Sequence, residues 1–96
     1  MVMEHIHVGT GGWSDNDHPY NRLRKYSSVF DFVEVNSTFY EFPPTRIVRR
    51  WRRMVSEHFL FTVKCSRIVT HEERLQPTER GVESLAKMVE ICDDLR

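Results

Sequence analysis

The segment Phe32–Pro44, which reads FVEVNSTFYEFPP, decides the fold predicted for this chain. Its first residues alternate between apolar and polar, so that Val33 and Val35 lie on one side of a predicted strand. The opposite side carries Glu34 and Asn36. A carboxylate and an amide that point into a protein interior are unfavourable unless other groups partner them. Because polar groups at the end of a strand commonly form α/β active sites, the segment predicts both a strand and a candidate site.

Length and composition exclude several classes of protein. Ninety-six residues make one small domain, residues 1–96, whose 40% hydrophobic and 29% charged residues are ordinary for a soluble globular protein. Lys plus Arg and Asp plus Glu are both 14, so the overall charge favours neither nucleic acid nor an anionic membrane. No apolar run reaches the ~20 residues of a membrane span, and the start lacks the regions of a signal peptide. Two distant cysteines without C-x-x-C spacing favour a reduced, cytoplasmic protein.

Three consecutive strand-then-helix units are predicted along the chain. The predicted strands cover residues 5–8, 32–36 and 60–64, and a tight glycine turn at 9–12 follows the first of them. The predicted helices run from about residue 19 or 20 to 27, from 45 to 55, and from about 78 to 95 with Thr78 as the cap. Repeated βα units imply parallel strands, because each helix crosses over right-handedly to the next strand. The predicted fold class is therefore α/β.

Each predicted helix carries apolar residues at helical spacing. The first helix is expected to direct Leu23 and Tyr26 inward. The second is expected to bury Ile47, Val48, Trp51, Met54 and Val55. The third is expected to bury Val82, Leu85, Met88, Val89 and Cys92. An open sheet of three parallel strands leaves unpaired edges, so we expect further strands to complete it.

Several segments, in their order along the chain, resemble a known family. They are Gly9–Trp13, Val33–Tyr40, Trp51, Phe61 to Lys64, and Thr70–His71. This pattern is similar to the YecE-like proteins, domain of unknown function 72, and it covers nearly the whole chain. The resemblance implies the first part of a (β/α)8 TIM barrel, a fold that usually takes about 250 residues. Between Ser14 and Tyr20 the chain departs from the family pattern, which usually has an aromatic residue soon after the tryptophan.

A TIM barrel places its active site at the carboxyl ends of the strands, where all of these motifs except Trp51 fall. In that geometry Glu34 and Lys64 point into one interior from neighbouring strands, and we expect them to pair. Glu34 is the candidate general acid or base, while Lys64 tunes it or binds a substrate anion. The alternatives are a structural ion pair and, for Lys64, a Schiff base, which the nearby carboxylate disfavours. His71 is the candidate second proton carrier.

Other polar and aromatic residues near the predicted strand ends are candidates for substrate binding. They are Trp13, Asn36, Thr38, Phe39, Tyr40, Arg67, Thr70 and Arg74. The aromatic residues suit stacking on a sugar or base, or else form a hydrophobic lid. The arginines suit a phosphate or carboxylate clamp, or else are solvated loop residues. His5 and His7 lie at the beginning of their strand, so we expect no metal there and no cofactor.

We expect the parent barrel, of which this chain would supply the first part, to be a hydrolase, lyase or isomerase that acts on a small polar, anionic or sugar-like substrate. One alternative is a nucleic-acid-binding or processing protein that uses the five arginines between Arg46 and Arg53, although acidic residues of the third helix are expected to neutralise them. Another alternative is a truncated, inactive gene product. For partners we expect a separately encoded remainder of the barrel or self-association through exposed sheet edges. Copies of a three-stranded unit give six or nine strands, whereas the barrel needs eight.

Overall fold

The computed structural model describes residues 6–13 and 22–96, which form one parallel sheet with helices on one of its faces. In chain order the elements are β1 (Gly9–Gly11), α1 (Arg22–Val29), β2 (Phe32–Val35), a 3₁₀ turn (Ser37–Phe39), α2 (Thr45–Met54), β3 (Leu60–Val63), a π-helical turn (Ile68–Glu72) and α3 (Glu79–Leu95). The strand order is β1-β2-β3, and both pairings are parallel. The predicted α/β class with three βα units is confirmed.

The first strand lies further along the chain than predicted. We expected a strand at residues 5–8 followed by a glycine turn, but the strand is Gly9–Gly11, in which Gly9 pairs with Phe32. A Cβ on Gly9 would lie 2.1 Å from the carbonyl oxygen of Phe32, so glycine permits the close approach of the two backbones. The chain turns only at Gly12, where φ is +85°. The predicted start of the first helix at residue 19 or 20 lies outside the described residues.

Side chains of β2 separate the two faces of the sheet. Val33 and Val35 are buried against the helices. Glu34 points to the opposite face, where it pairs in register with Thr62 of β3, and both side chains are exposed. The alternation predicted for this strand is confirmed. One face of the sheet is therefore an apolar core, and the other is polar and open to water.

The core contact of α1 agrees with the prediction. Leu23 and Tyr26 are buried against β2. The hydroxyl of Tyr26 donates to the carbonyl oxygen of Phe32 at 2.8 Å and accepts from the backbone N–H of Thr10. Tyr26 thus connects β1 with β2 from the helix side, in addition to filling the core.

The buried face of α3 differs from the prediction. Met88 is buried as expected, but Val82, Leu85 and Val89 are 54%, 49% and 54% exposed, and Cys92 is exposed too. The buried residues are instead Gly81, Ser84, Met88, Ile91 and Leu95. The helix has two adjacent stripes with apolar side chains, and periodicity alone does not decide which of them meets the sheet. Its start is confirmed, because the Thr78 hydroxyl accepts a hydrogen bond from the backbone N–H of Gly81 at 3.0 Å.

Arginines of α2 connect this helix to α3 and to the start of β3. Arg49 donates to the Asp94 carboxylate at 3.3 Å, which confirms that an acidic residue of α3 neutralises part of the arginine cluster. Arg52 donates to the carbonyl oxygens of Phe59 and Leu95, both at 2.9 Å, and to that of Ser56. Burial lowers the pKa of Arg52, because desolvation disfavours its charged form. No helix in the described part of the chain is long and apolar enough to cross a membrane.

We predict that Arg52→Met lowers the free energy of unfolding by about 1–3 kcal/mol, because three backbone carbonyls lose a charged donor. Urea denaturation followed by circular dichroism measures this change. Arg53→Met is the matched control, since Arg53 is the next residue of the same helix and is exposed. Equal stability of the two variants would contradict the structural role of Arg52.

Candidate functional site

The open face of the sheet gathers polar side chains at the carboxyl ends of β2 and β3. Glu34, Asn36 and Lys64 are all exposed there. Glu34 lies beside Thr62 in register, so Lys64, two residues further on, lies one step nearer the carboxyl end. Asn36 directly follows β2 and lies over β1, because a Cβ on Gly11 would be 2.6 Å from the Asn36 Nδ2. Gly11 thus makes room for Asn36, a role that the sequence pattern did not show.

The predicted ion pair between Glu34 and Lys64 does not form. Within the part of the chain that the structure describes, neither side chain takes part in an ion pair. Both groups are exposed, so there is no burial penalty that pairing would offset. The Lys64 Nζ lies instead over the Phe39 ring, 4.4 Å from its centroid. A cation over an aromatic face is held by the ring quadrupole, which fixes the position of the ammonium group.

Phe39 is the centre of a cluster built from the segments that follow β2 and β3. The rings of Tyr40 and His71 meet Phe39 edge-to-face, with centroids 5.0 Å and 5.2 Å away. Together with Lys64 they form what we call the Phe39 cluster, which consists of Phe39, Tyr40, Lys64 and His71. Four residues that the sequence predicted for the site are therefore in contact around one ring.

The cluster histidine is held by its neighbour in the chain. His71 lies in the π-helical turn, and its Nδ1 is 2.7 Å from the Thr70 Oγ1. The same hydroxyl lies 3.4 Å from the carbonyl oxygen of Ser66. When Thr70 donates to that carbonyl, it accepts from Nδ1–H of His71, which leaves the Nε2 of His71 as the proton acceptor. Thr70 thus orients the histidine.

Thr38 has a structural role and does not face the open side of the sheet. It is fully buried, and its hydroxyl lies 2.7 Å from the carbonyl oxygen of Lys64 and 3.1 Å from that of Val35. The hydroxyl therefore joins the ends of β2 and β3, just before Phe39. Because its donor is used by the backbone, the hydroxyl is not presented to the open face, contrary to the sequence-based expectation.

The two predicted clamp arginines lie apart from the cluster. Arg67 is 4.0 Å from the Glu72 carboxylate, which also lies 3.5 Å from Arg80. Arg74 is exposed and follows the π-helical turn with a φ of +52°. Among the described residues, neither arginine forms a hydrogen bond, ion pair or cation–π contact with the Phe39 cluster. Arg67 has an acidic neighbour that would compete with a substrate anion.

Trp13 is also separate from the cluster. Its ring meets that of Trp51 edge-to-face, with centroids 5.1 Å apart. The two tryptophans line a cavity of about 290 Å³ beside Asn36, Val35 and Ser37. Val35 and Trp51 belong to the apolar side of the sheet, and Trp13 packs against that core near the end of β1.

Among residues 6–13 and 22–96, no three His, Cys, Asp or Glu side chains lie close enough to hold a metal ion. The Nδ1 of His7 lies 2.9 Å from the Asp31 carboxylate, and His5 lies outside the described residues. Partial burial raises the pKa of the Cys92 thiol, and the neighbouring Asp93 and Cys65 side chains raise it further.

Comparison with known proteins shows which family the chain belongs to. Residues 7–95 match the family described as Protein of unknown function DUF72. The chain belongs to the DUF72 family. It is similar to UPF0759 protein YunF of Bacillus subtilis, with 34% identity over 76 residues, and to UPF0759 protein YecE of Escherichia coli, with 31% identity over 77 residues. The resemblance that the motifs indicated is thus confirmed.

The matched region is a limited part of these DUF72 relatives. It covers 72% of this chain in the comparison with YunF and 74% in that with YecE, but 27% of each relative. A crystal structure of a DUF72 family protein from Enterococcus faecalis superposes with a TM-score of 0.63 and 26% identity, covering 91% of this chain and 36% of that one. A second structure from that organism gives a TM-score of 0.58. The three βα units therefore have the fold of a part of a DUF72 protein, consistent with a partial TIM barrel.

We predict that Thr38→Val lowers the free energy of unfolding by about 1 kcal/mol, because a buried hydroxyl that joins two strand ends is lost. Urea denaturation of the two proteins measures the difference. Ser37→Ala serves as the control, since this neighbouring hydroxyl residue is exposed. Unchanged stability of the Thr38 variant would argue against the structural assignment.

Proposed function

We propose that this chain contributes acid–base and anion-binding groups to the active site of an enzyme. The enzyme is of the hydrolase, lyase or isomerase class, and its substrate is small and polar, either anionic or sugar-like. The observation that carries the proposal is the contact of Lys64 and His71 with one ring, Phe39, at the carboxyl ends of β2 and β3. In parallel α/β folds this edge of the sheet is where ligands bind.

Lys64 is the anion-binding group of the proposed site. Its ammonium group lies over the face of Phe39, and among the described ion pairs none involves this lysine. A positioned cation without a carboxylate partner keeps its charge for a substrate carboxylate or phosphate. Asn36, on the same exposed face, supplies an amide that donates to or accepts from neutral polar groups.

Glu34 and His71 are the proton carriers of the proposed site. Glu34 projects from β2 one step deeper than Lys64, and His71 stands in the turn that follows β3. Two titratable groups on different elements can divide the roles of acid and base between them. The hydrogen bond between the Thr70 hydroxyl and the His71 Nδ1 orients the imidazole for this role.

Nucleic-acid binding through α2 receives less support. Of the five arginines between Arg46 and Arg53, Arg49 is paired with Asp94 and Arg52 is bound to backbone carbonyls. Both positive charges therefore serve the packing of α2 rather than a phosphate backbone. The enzyme proposal, unlike nucleic-acid binding through α2, accounts for the contacts of Lys64 and His71 with Phe39 at the strand ends.

We predict that inorganic phosphate binds weakly at the Phe39 cluster of the isolated chain. In a titration followed by NMR, the resonances of Lys64 and His71 should shift, and Lys64→Met should weaken binding by about tenfold. Lys87→Met is the matched control, because Lys87 also lies over an aromatic ring, that of Phe42 at 5.2 Å, but on α3. Equal losses in both variants, or none in the Lys64 variant, would refute the assignment of Lys64.

We predict that Glu34 carries proton transfer in the assembled enzyme. In a full-length, active DUF72 relative, changing the glutamate that matches Glu34 to Gln should lower kcat by about 10²–10⁴-fold, because the amide keeps the shape but loses the titratable group. The control is the same change at the position that matches the exposed Glu41. Full activity of the first variant would eliminate Glu34 as the general acid or base.

A further inference from the structure

A cavity lies between α2 and α3 on the helix side of the sheet, and we call it the α2–α3 cavity. Its volume is about 230 Å³, which is room for about eight water molecules at ~30 Å³ each. Val48 and Ile91, which line it, are 0% and 7% exposed and give it an apolar base. Phe42 and Pro43, from the segment before α2, line it too. The cavity therefore suits a ligand of about the size of an amino acid that has an apolar part.

One cation at the rim of this cavity is held by an aromatic ring. The Lys87 Nζ lies 5.2 Å from the centroid of the Phe42 ring, and both residues line the cavity. The ring quadrupole attracts the ammonium group and so restricts its position. In the described part of the chain Lys87 forms no ion pair. Because an ammonium group has three N–H donors, Lys87 can contact the ring and still donate to a carboxylate.

A carboxylate stands one helical turn from this ammonium group. Glu90 follows Lys87 by three residues on α3, and side chains at that spacing have Cβ atoms about 5–6 Å apart. Both side chains are exposed and line the cavity, yet no ion pair joins them among the described residues. Asp94 also lines the cavity, but its carboxylate lies 3.3 Å from Arg49. The cavity thus offers one positive and one negative group that are not paired with another charge.

We propose that the α2–α3 cavity binds a free α-amino acid with an apolar side chain of about the size of leucine. Lys87 would hold the carboxylate of the ligand, and Glu90 would hold its ammonium group. The ligand side chain would cover Val48 and Ile91. An α-amino acid carries both of its charges on one carbon atom, which suits two oppositely charged neighbours on one face of a helix.

This combination of groups fits simpler ligands less well. A fatty acid or an alkylamine would pair with only one of the two charged side chains and leave the other to water. A peptide terminus likewise has only one of the two charges on its last residue. Inorganic phosphate has no apolar part to cover the base of the cavity. A zwitterion with an apolar side chain is the ligand that uses all of these groups at once.

A titration of the 96-residue chain with L-leucine, followed by NMR, tests the inference. The methyl resonances of Val48 and Ile91 should shift with a Kd of about 1 mM, because the ligand is small and its charged partners are exposed. Three analogues separate the contributions: 4-methylpentanoate lacks the ammonium group, 3-methylbutylamine lacks the carboxylate, and glycine lacks the side chain. Each analogue should bind about fivefold more weakly than L-leucine, or weaker still.

Substitutions on α3 locate the contacts. Lys87→Met and Glu90→Gln should each weaken the binding of L-leucine by about fivefold, because each removes one charged partner. Glu83→Gln is the matched control, since Glu83 is exposed on the same helix, four residues before Lys87, and does not line the cavity. All three positions are exposed, so thermal unfolding of the variants should match that of the unchanged chain.

Three results would overturn this inference. The first is no shift of the Val48 and Ile91 methyl resonances at about 50 mM L-leucine, which would saturate a site with a Kd of about 1 mM. The second is an analogue that binds as tightly as L-leucine. The third is equal binding of L-leucine by the Glu90 and Glu83 variants. The α2–α3 cavity and the Phe39 cluster share no residue, so failure here and failure of the proposed function are distinguishable.

Discussion

The central strand β2 pairs with β1 on one side and with β3 on the other, and every other part of the described structure depends on this double pairing. It brings Val33 and Val35 to the helix side, where α1 and α2 cover them, and leaves Glu34 on the open side. It also brings β1 so close to Phe32 that a Cβ on Gly9 would clash with the Phe32 backbone, while Gly11 makes room for the Asn36 side chain. The fold and the position of the polar face thus have a common origin.

The candidate site follows from the same pairing. Because the strands are parallel, the segments after β2 and β3 leave the sheet at one edge, and Phe39 meets Lys64 and His71 there. Thr38 fixes this meeting point by joining the backbone ends of the two strands. A buried hydroxyl therefore holds the exposed groups in place, and the groups proposed for chemistry are the ones that remain accessible.

Burial decides how the charged groups behave. Glu34 and Lys64 lie in water in this chain, so hydration satisfies each of them and no ion pair forms. If this face were shielded from water, pairing or proton sharing between the two groups would become favourable. The behaviour of these two charges therefore depends on how much water reaches the open face.

Local sequence determined a large part of this structure. The alternation in β2, the inward Leu23 and Tyr26, the Thr78 cap and the family motifs are each readable from neighbouring residues, because side-chain periodicity and capping act over one or two turns. Only the tertiary structure decided that the glycines form a strand, that α3 buries Ile91 rather than Val89, and that Lys64 lies over Phe39. Glycine occurs both in turns and where two strands approach each other closely. In a helix with two adjacent apolar stripes, contacts with neighbouring elements decide which stripe is buried. Those choices depend on contacts between residues distant in sequence, which no local pattern records.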